Sequence, residues 1–485
     1  MAQPFRFRKP KLSLFDSTGM SDSLRKSLNF IILSGMMGTI NGNITGGAAW
    51  TGFLRMMGAN AAALGILAAI PVAASSIQII ISYVIERTGK RKELMLTFGI
   101  TGRCLWAVIG LIPFIIPMDA ASLRIITVMV FVALCAGSNA VINVGFYSLV
   151  SDLVPMRTRG RYFSARQACC LIASIVTGLG ISFLLDRTSG YTGYTIALAI
   201  AGLFGGLDIA LFIFCDWPKM HVGQEKRDSL PSMIRHVFQN KRFRKFTLIM
   251  LYWGFAVNIC APFYNVYMLE VINMSYTQIT LVNQVLPNVI TVFIISWWGR
   301  RMDSYGNKPV MQFTGLFTMI YPLLWLFTGP NSFWMLIVCN MLSGILSTAF
   351  DLGAQNMYLN TAPEVNRSMY ISVYFAATQL LGNAMGSAVG GMLVQNVLPA
   401  WESWNLHIGS IMMTRYHYIY FISGILRTSM IVCLLPLMQE DNARTVRALI
   451  ADSATEIRTV WARRSRMFWM TLRRRRMRRL MARDD

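Results

Sequence analysis

Charge is scarce in this chain: 14% of its 485 residues are charged, and only 22 of those are acidic. Histidine occurs four times, at positions 221, 236, 407 and 417, and the eight cysteines include no Cys-x-x-Cys pair. These shortages exclude whole classes of chemistry. Neither a metal site nor a disulfide framework is indicated, and cysteines inside apolar runs read as small core residues. Gly89-Lys90 lacks the Ser or Thr that follows, and the Gly that precedes, in an ATP-binding loop, and neither HExxH nor GxSxG occurs. No enzyme chemistry, ATP-driven pumping or cofactor is expected.

What is abundant is apolar surface. Hydrophobic residues make up 54% of the chain, with 32 Met and 28 Phe. A stretch of roughly 20 apolar residues crosses a hydrocarbon core of about 30 Å, and twelve such stretches follow one another. They run over 27–52, 60–85, 94–117, 124–151, 163–186, 192–216, 245–271, 276–299, 309–328, 332–358, 369–397 and 416–437. The pattern predicts an all-α integral membrane protein. The first run lacks a small-residue cleavage pattern, so it is read as a retained span.

The net charge of +23 is distributed unevenly. With an even number of spans, 38 of the 45 Lys and Arg fall in the segments on the side of the two termini, and only Arg55, Arg124, Arg187 and Arg415 lie on the other. By the positive-inside rule both termini are expected in the cytoplasm, with the chain multi-pass in the cell membrane. Nucleic acid is not an expected partner.

The chain divides into a cytoplasmic arm (1–26), a six-helix half (27–216), a linker (217–244), a second six-helix half (245–437) and a tail (438–485). The linker holds a Pro-initiated amphipathic segment expected to lie on the membrane surface. The halves repeat one another. Ser82-x3-Glu86-x2-Gly89-x-Arg91 is matched 217 residues later by Gly299-x3-Asp303-x2-Gly306-x-Lys308. At a shift of 208, Asn143, Gly145, Pro155, Arg159, Tyr162 and Ser164 match Asp351, Gly353, Pro363, Arg367, Tyr370 and Ser372. Both pairs sit at equivalent places, after the second and the fourth span of each half, so a duplicated six-span unit is expected, with the halves facing one another across a cavity.

The two loop copies resemble the G-x-x-x-D-R-x-G-R-[KR] signature of the major facilitator superfamily, over roughly residues 25 to 438. The first copy departs from it at Ser82 and Glu86, the second at Ser304 and Asn307. The resemblance implies a twelve-helix rocker-switch carrier with a midplane site. It also implies a cytoplasmic gate in which Glu86 and Asp303 take the acid position and Arg87, Lys90 and Arg91 are the bases, with Asp152 as partner. Arg166 is expected to pair with Asp152 at the same face.

A charge at the bilayer centre costs about 2.5–3.5 kcal/mol, so intramembrane charges should face a cavity or a partner. Asp351 replaces neutral Asn143 at the equivalent position, on spans that line the cavity in the resembled family, and is a candidate coupling site for a proton or another cation. Asp208 is a second candidate, although a structural pair with an Arg is the favoured reading there. Arg103 and Arg427 are candidates for an anionic substrate or a carboxylate partner. Asn41 and Asn258, 217 residues apart, are expected to face each other at mid-membrane as substrate ligands. Asn143, Tyr264, Asn265, Gln284 and Asn288 complete the candidate substrate set, and the alternative for each amide is a helix-to-helix hydrogen bond. Gly382, Gly386 and Gly390, four apart, predict a close helix contact.

After about Gln439, Val446, Ile450, Ile457, Val460, Trp461 and Phe468 keep near-helical spacing ahead of the basic run Arg473 to Arg479, which predicts an amphipathic helix on anionic lipid. The reading as a whole is a monomeric secondary active transporter of a small polar solute, best a sugar or glycoside, coupled to protons or another cation. The alternatives are an exporter of amphipathic compounds, an organic-anion carrier, or a non-transporting receptor or scaffold.

Overall fold

Nothing in a bilayer can hydrogen-bond an open backbone, so apolar runs of this length must close their amides internally as helices. The computed structural model describes residues 21–154, 159–218, 238–330, 333–361, 367–409, 411–440 and 444–452. Ten helices in it are long and apolar enough to cross a membrane. Two further helical stretches of membrane length, the first and the eleventh in chain order, carry more Gly, Asn and Gln.

The spans are α1 (Asp22–Gly46), α2 (Ala61–Ile85), α3 (Arg91–Ile115) and α4 (Ala121–Leu153), α5 (Arg159–Arg187) and α6 (Thr192–Phe214). The second half follows with α7 (Lys241–Glu270), α8 (Tyr276–Tyr305) and α9 (Asn307–Phe327), α10 (Phe333–Thr361), α11 (367–397) and α12 (Arg415–Leu437). A short helix, Ala48–Met56, joins α1 to α2. Two short paired strands, β1 (His407–Ile408) and β2 (Ile411–Met412), precede α12.

Sequence signals set the helix ends. Asn60, Asn240 and Ser275 each cap a helix by accepting a backbone N–H, and Ser275 forms a capping box with Gln278. The two motif glycines turn the chain between spans with positive φ, +66° at Gly89 and +95° at Gly306, a conformation that a Cβ would penalise. That explains why both copies of the loop keep Gly at this point. Among the described residues π-turns fall in the second half, at Leu281–Val285, Thr378–Ala384, Leu393–Val397 and Met430–Leu434.

The glycine seam of α11 lies against α7. A Cβ on Gly382 or Gly386 would come within 2.8 Å of the carbonyl oxygens of Leu251 and Phe255, and one on Gly390 would overlap that of Ile259. Three glycines four apart thus meet three carbonyls four apart, as the sequence predicts.

The core is not uniform along the bundle. At the end away from the termini one continuous apolar cluster joins both halves, with Phe53, Leu64 and Trp106 from the first and Phe263, Tyr267, Trp325 and Leu398 from the second. At the terminal end the core splits. One cluster, with Leu28, Met95, Leu149 and Tyr162, belongs to the first half, and another, with Phe243, Trp253, Phe350 and Tyr374, to the second.

Candidate functional site

The end away from the termini is sealed by a ladder between α5 and α8. Asp186 accepts from the backbone N–H of Tyr276 at 2.8 Å and of Thr277 at 3.0 Å. Ser182 Oγ meets Thr280 Oγ1 at 2.5 Å. Gly178 leaves room for Gln284, whose Nε2 donates to Ser174 Oγ at 2.7 Å and to the Ser174 carbonyl at 3.0 Å. Positions 174, 178, 182 and 186 meet 284, 280 and 276, steps of four that keep one face of each antiparallel helix toward the other. Around the ladder Arg55 pairs with Glu270 and Tyr194 with Tyr276. A Cβ on Gly65 of α2 would lie 2.5 Å from the Ser387 carbonyl oxygen of α11, so these spans touch backbone to backbone.

Below this seal lie two cavities of the second half. One, about 300 Å³, is walled by α7, α9, α10 and α12 and is called here the α9 chamber. The other, about 430 Å³, is walled by α7, α10 and α11 and runs toward the terminal end past Met250, Tyr358 and Tyr374; it is the α11 chamber. Trp253, Val257 and Asp351 line both and form the waist between them. Asp351 is exposed to this space, and among the described residues its carboxylate has neither an ion-pair nor a hydrogen-bond partner. It belongs to a polar stripe along α10, in which Ser343 and Ser347 line the α9 chamber and Gln355 lines the α11 chamber, each four residues from the next.

The α11 chamber is rich in amides. Asn258 Nδ2 donates to Asn383 Oδ1 at 2.9 Å and to the Gly254 carbonyl at 3.0 Å, and Gln379 bonds Asn383 in turn. The α9 chamber is aromatic: Tyr264 stacks on Tyr420 with ring centroids 4.8 Å apart and tilts against Trp325 at 4.6 Å. Arg427, 3% exposed, reaches the wall of this chamber.

In the first half the intramembrane charges are spent on packing. Arg103 bonds Asn41 Oδ1 and lies 3.5 Å from Asp208, whose other oxygen accepts from Ser34 Oγ at 2.5 Å. Asn41 also donates to the Ala201 carbonyl at 2.9 Å and is 1% exposed. Asn41 therefore does not face Asn258: it ties α1 to α3 and α6, away from either cavity. Arg166 departs from its expected pairing with Asp152, lying instead on the Phe146 ring at 4.8 Å and against Gly35 of α1.

Among the remaining candidates, Tyr264 lines the α9 chamber, while Gln284 is spent in the ladder and Asn265 accepts from Asn283 at 3.0 Å. Asn288 lies one turn past Gln284 on the same face, half-buried, and Asn143 is exposed on α4; neither amide is hydrogen-bonded among the described residues. No group of three or more His, Cys, Asp or Glu is placed to hold a metal among the described residues.

The sequence profile of the Major Facilitator Superfamily matches residues 27–297 and again 261–481. The chain belongs to this superfamily. Solved structures agree in fold: the nucleoside transporter NupG superposes with a TM-score of 0.63 at 15% identity, over 85% of this chain and 100% of that one. The inward-open xylose transporter XylE from E. coli gives 0.62 at 13%, covering 88% and 99%, and an auto-inhibited POT family peptide transporter gives 0.66 at 10%, covering 86% and 98%. Comparison with curated protein sequences finds no match. This major facilitator is a membrane transporter and not an enzyme.

The superfamily's loop motif can now be placed. Arg91 is buried at 2% exposure and donates to Asp152 Oδ2 at 2.7 Å, Ser148 Oγ at 2.8 Å and the Pro218 carbonyl at 3.3 Å. It fastens the start of α3 to the end of α4. Arg87 and Lys90 are exposed and form no ion pair among the described residues, and the Glu86 side chain lies outside them. In the second copy Asp303 is exposed and caps no helix among the described residues. The amides at the start of α9 are already taken by Glu440, which accepts from Asn307 N at 2.9 Å and Lys308 N at 2.6 Å. This capping acid arrives from beyond α12, where spacing within the motif cannot reveal it.

Leu449 is 1% exposed against Trp298, Met302, Tyr305 and Val310, and Ile450 points outward. The linker segment 219–237 and the tail from 453 onward lie outside the described residues.

Proposed function

We propose that this major facilitator is a proton-coupled secondary carrier that moves a small hydroxylated solute of the sugar or glycoside class by alternating exposure of the two chambers. The observation that carries the reading is Asp351. A carboxylate without a partner among the described residues, at the waist of two stacked cavities, is a costly arrangement in a membrane unless a proton or a cation neutralises it in use. Amide and aromatic groups beside it, Asn258, Gln379, Asn383, Trp253 and Tyr264, supply the hydrogen bonds and ring faces that hydroxylated molecules take. Structural neighbours of the same architecture include a nucleoside transporter and a D-xylose-proton symporter.

On this reading the terminal end faces the cytoplasm of a cell-membrane protein, which follows from the basic residues gathered there. The seal between α5 and α8 closes the outer side, and the split core leaves the inner side as the open one. The carrier works as a monomer, and its basic tail lies on anionic lipid.

Reconstitution into proteoliposomes with an imposed proton gradient tests the assignment. Asp351→Asn should abolish gradient-driven accumulation while leaving exchange of labelled for unlabelled solute intact. Accumulation at the level of the unmodified protein would remove Asp351 from the coupling role. A second reading, an organic-anion carrier, is favoured by one observation, the placement of Arg427.

A further inference from the structure

We infer that the α9 chamber contains an anion subsite built on Arg427, and that the carried solute bears an acidic group on a hydroxylated or ring-shaped body. The inference rests on the cavity being the transport site proposed above.

Two of the Arg described above have their charge answered by an acid. Arg91 meets Asp152 and Arg103 meets Asp208. Arg124, buried without an acid, saturates the Ile116 and Pro113 carbonyls at 2.6–3.0 Å. Arg427 has no such set. Its Nε donates to Ser423 Oγ at 3.1 Å, but the two terminal nitrogens reach only the Thr318 carbonyl at 3.5 Å and Cys260 Sγ at 3.7 Å. A guanidinium carries five N–H donors in a planar fork that matches a carboxylate or phosphate two bonds at a time. Here most of that capacity is unspent or stretched, on a side chain that lines a cavity.

Its surroundings hold the cation in place without neutralising it. The guanidinium carbon lies 5.9 Å from the Trp253 ring and 6.0 Å from Tyr321, contacts that favour a cation while leaving its edge free. Asp351 lines the same chamber yet forms no ion pair with Arg427. Two opposite charges held apart in about 300 Å³ leave room between them for a solute. An acidic group on Arg427 would put a second negative charge into Asp351's chamber. Repulsion between the two is relieved by a proton on Asp351, so anion and proton binding favour one another, and by linkage the effect is reciprocal. The arrangement therefore supplies both a recognition element and a reason for proton and solute to travel together.

Thermal unfolding of the full-length purified protein against matched pairs tests this. The pairs are gluconate with glucose, glucuronate with its methyl ester, and benzoate with benzyl alcohol; glucose 6-phosphate serves as the phosphate arm. The acid of at least one pair should stabilise the protein where its neutral partner does not, and the phosphate arm shows whether a carboxylate or a phosphate is preferred. Arg427→Gln should weaken the apparent affinity for that acid at least tenfold, with Arg427→Lys intermediate. Because the pairs are compared on the unmodified protein, a variant that fails to fold does not remove the test. Equal stabilisation by neutral partners, no stabilisation by any acid, or unchanged affinity in Arg427→Gln overturns the subsite. A neutral solute that accumulates with the proton gradient overturns the subsite and leaves the carrier reading standing. Acids that bind through Arg427 while no solute accumulates do the reverse.

Discussion

Asp186→Ala should open the sealed end of the bundle. The carboxylate accepts two backbone N–H groups at the start of α8, at 2.8 and 3.0 Å, although Asp186 belongs to the other half of the molecule. Removing a capping side chain costs about 0.5–2 kcal/mol, and a negative charge at a helix amino terminus adds about 0.3–1 kcal/mol. Asp186 is exposed, which keeps the total toward the lower part of that range, at about 1–2 kcal/mol. The contact exists only while the halves are closed at this end, so the whole loss falls on one conformation and moves the equilibrium by a factor of about 5–30. Spin labels on Arg187→Cys and Asn273→Cys, with the exposed Cys104 and Cys433 replaced, would report the separation of α5 and α8 by pulsed electron resonance. The long-distance population should grow by that factor in Asp186→Ala and by less in Asp186→Asn, which keeps an acceptor without the charge. An unchanged distance distribution would refute the assignment of this ladder as the gate.

Two stability predictions follow from the packing. Gly390→Ala should destabilise the purified protein by about 1–3 kcal/mol or more, because its Cβ overlaps the Ile259 carbonyl oxygen, whereas Gly137→Ala, with nothing within 4 Å, should be neutral or mildly stabilising; equal melting temperatures for the two would show that the seam is not close-packed. Asp208→Ala strands Arg103 in a low-dielectric interior and should cost about 3–5 kcal/mol. Arg103→Gln combined with Asp208→Asn should recover much of that loss, and a double variant as unstable as the single one would contradict the pairing.

Twelve spans, the duplication and the glycine face of α11 are legible in the sequence because each depends on spacing along the chain. Glycines every four residues predict a flat face whatever lies opposite. Arg91 with Asp152 is legible for a similar reason, since both stand at span ends on the same side. Asn41 and Asn258 show where such reasoning stops. A repeat shift transfers depth in the membrane, but the side chain's direction turns by about 100° with every residue. Equivalent depth therefore put one amide on a cavity wall and the other in the packing between α1, α3 and α6. The ladder has no signature in the sequence for a different reason. Ser174, Ser182 and Thr280 are ordinary hydroxyl residues, and only the matching of two four-residue series on different halves gives them meaning. Glu440 was hidden by distance along the chain: no local pattern links it to the start of α9.

The regular rungs between α5 and α8 make the closed end sensitive to chain length in a particular way. Deleting one residue between Gly178 and Asp186 would swing everything on one side of the cut by about 100°, so that polar rungs turn toward lipid and apolar neighbours toward the joint. Loss or gain of four residues would instead slide one rail along the other by about one tooth, with hydroxyls still meeting hydroxyls. Length changes in these two helices should therefore be tolerated only in whole turns, while the connecting loops remain free to vary.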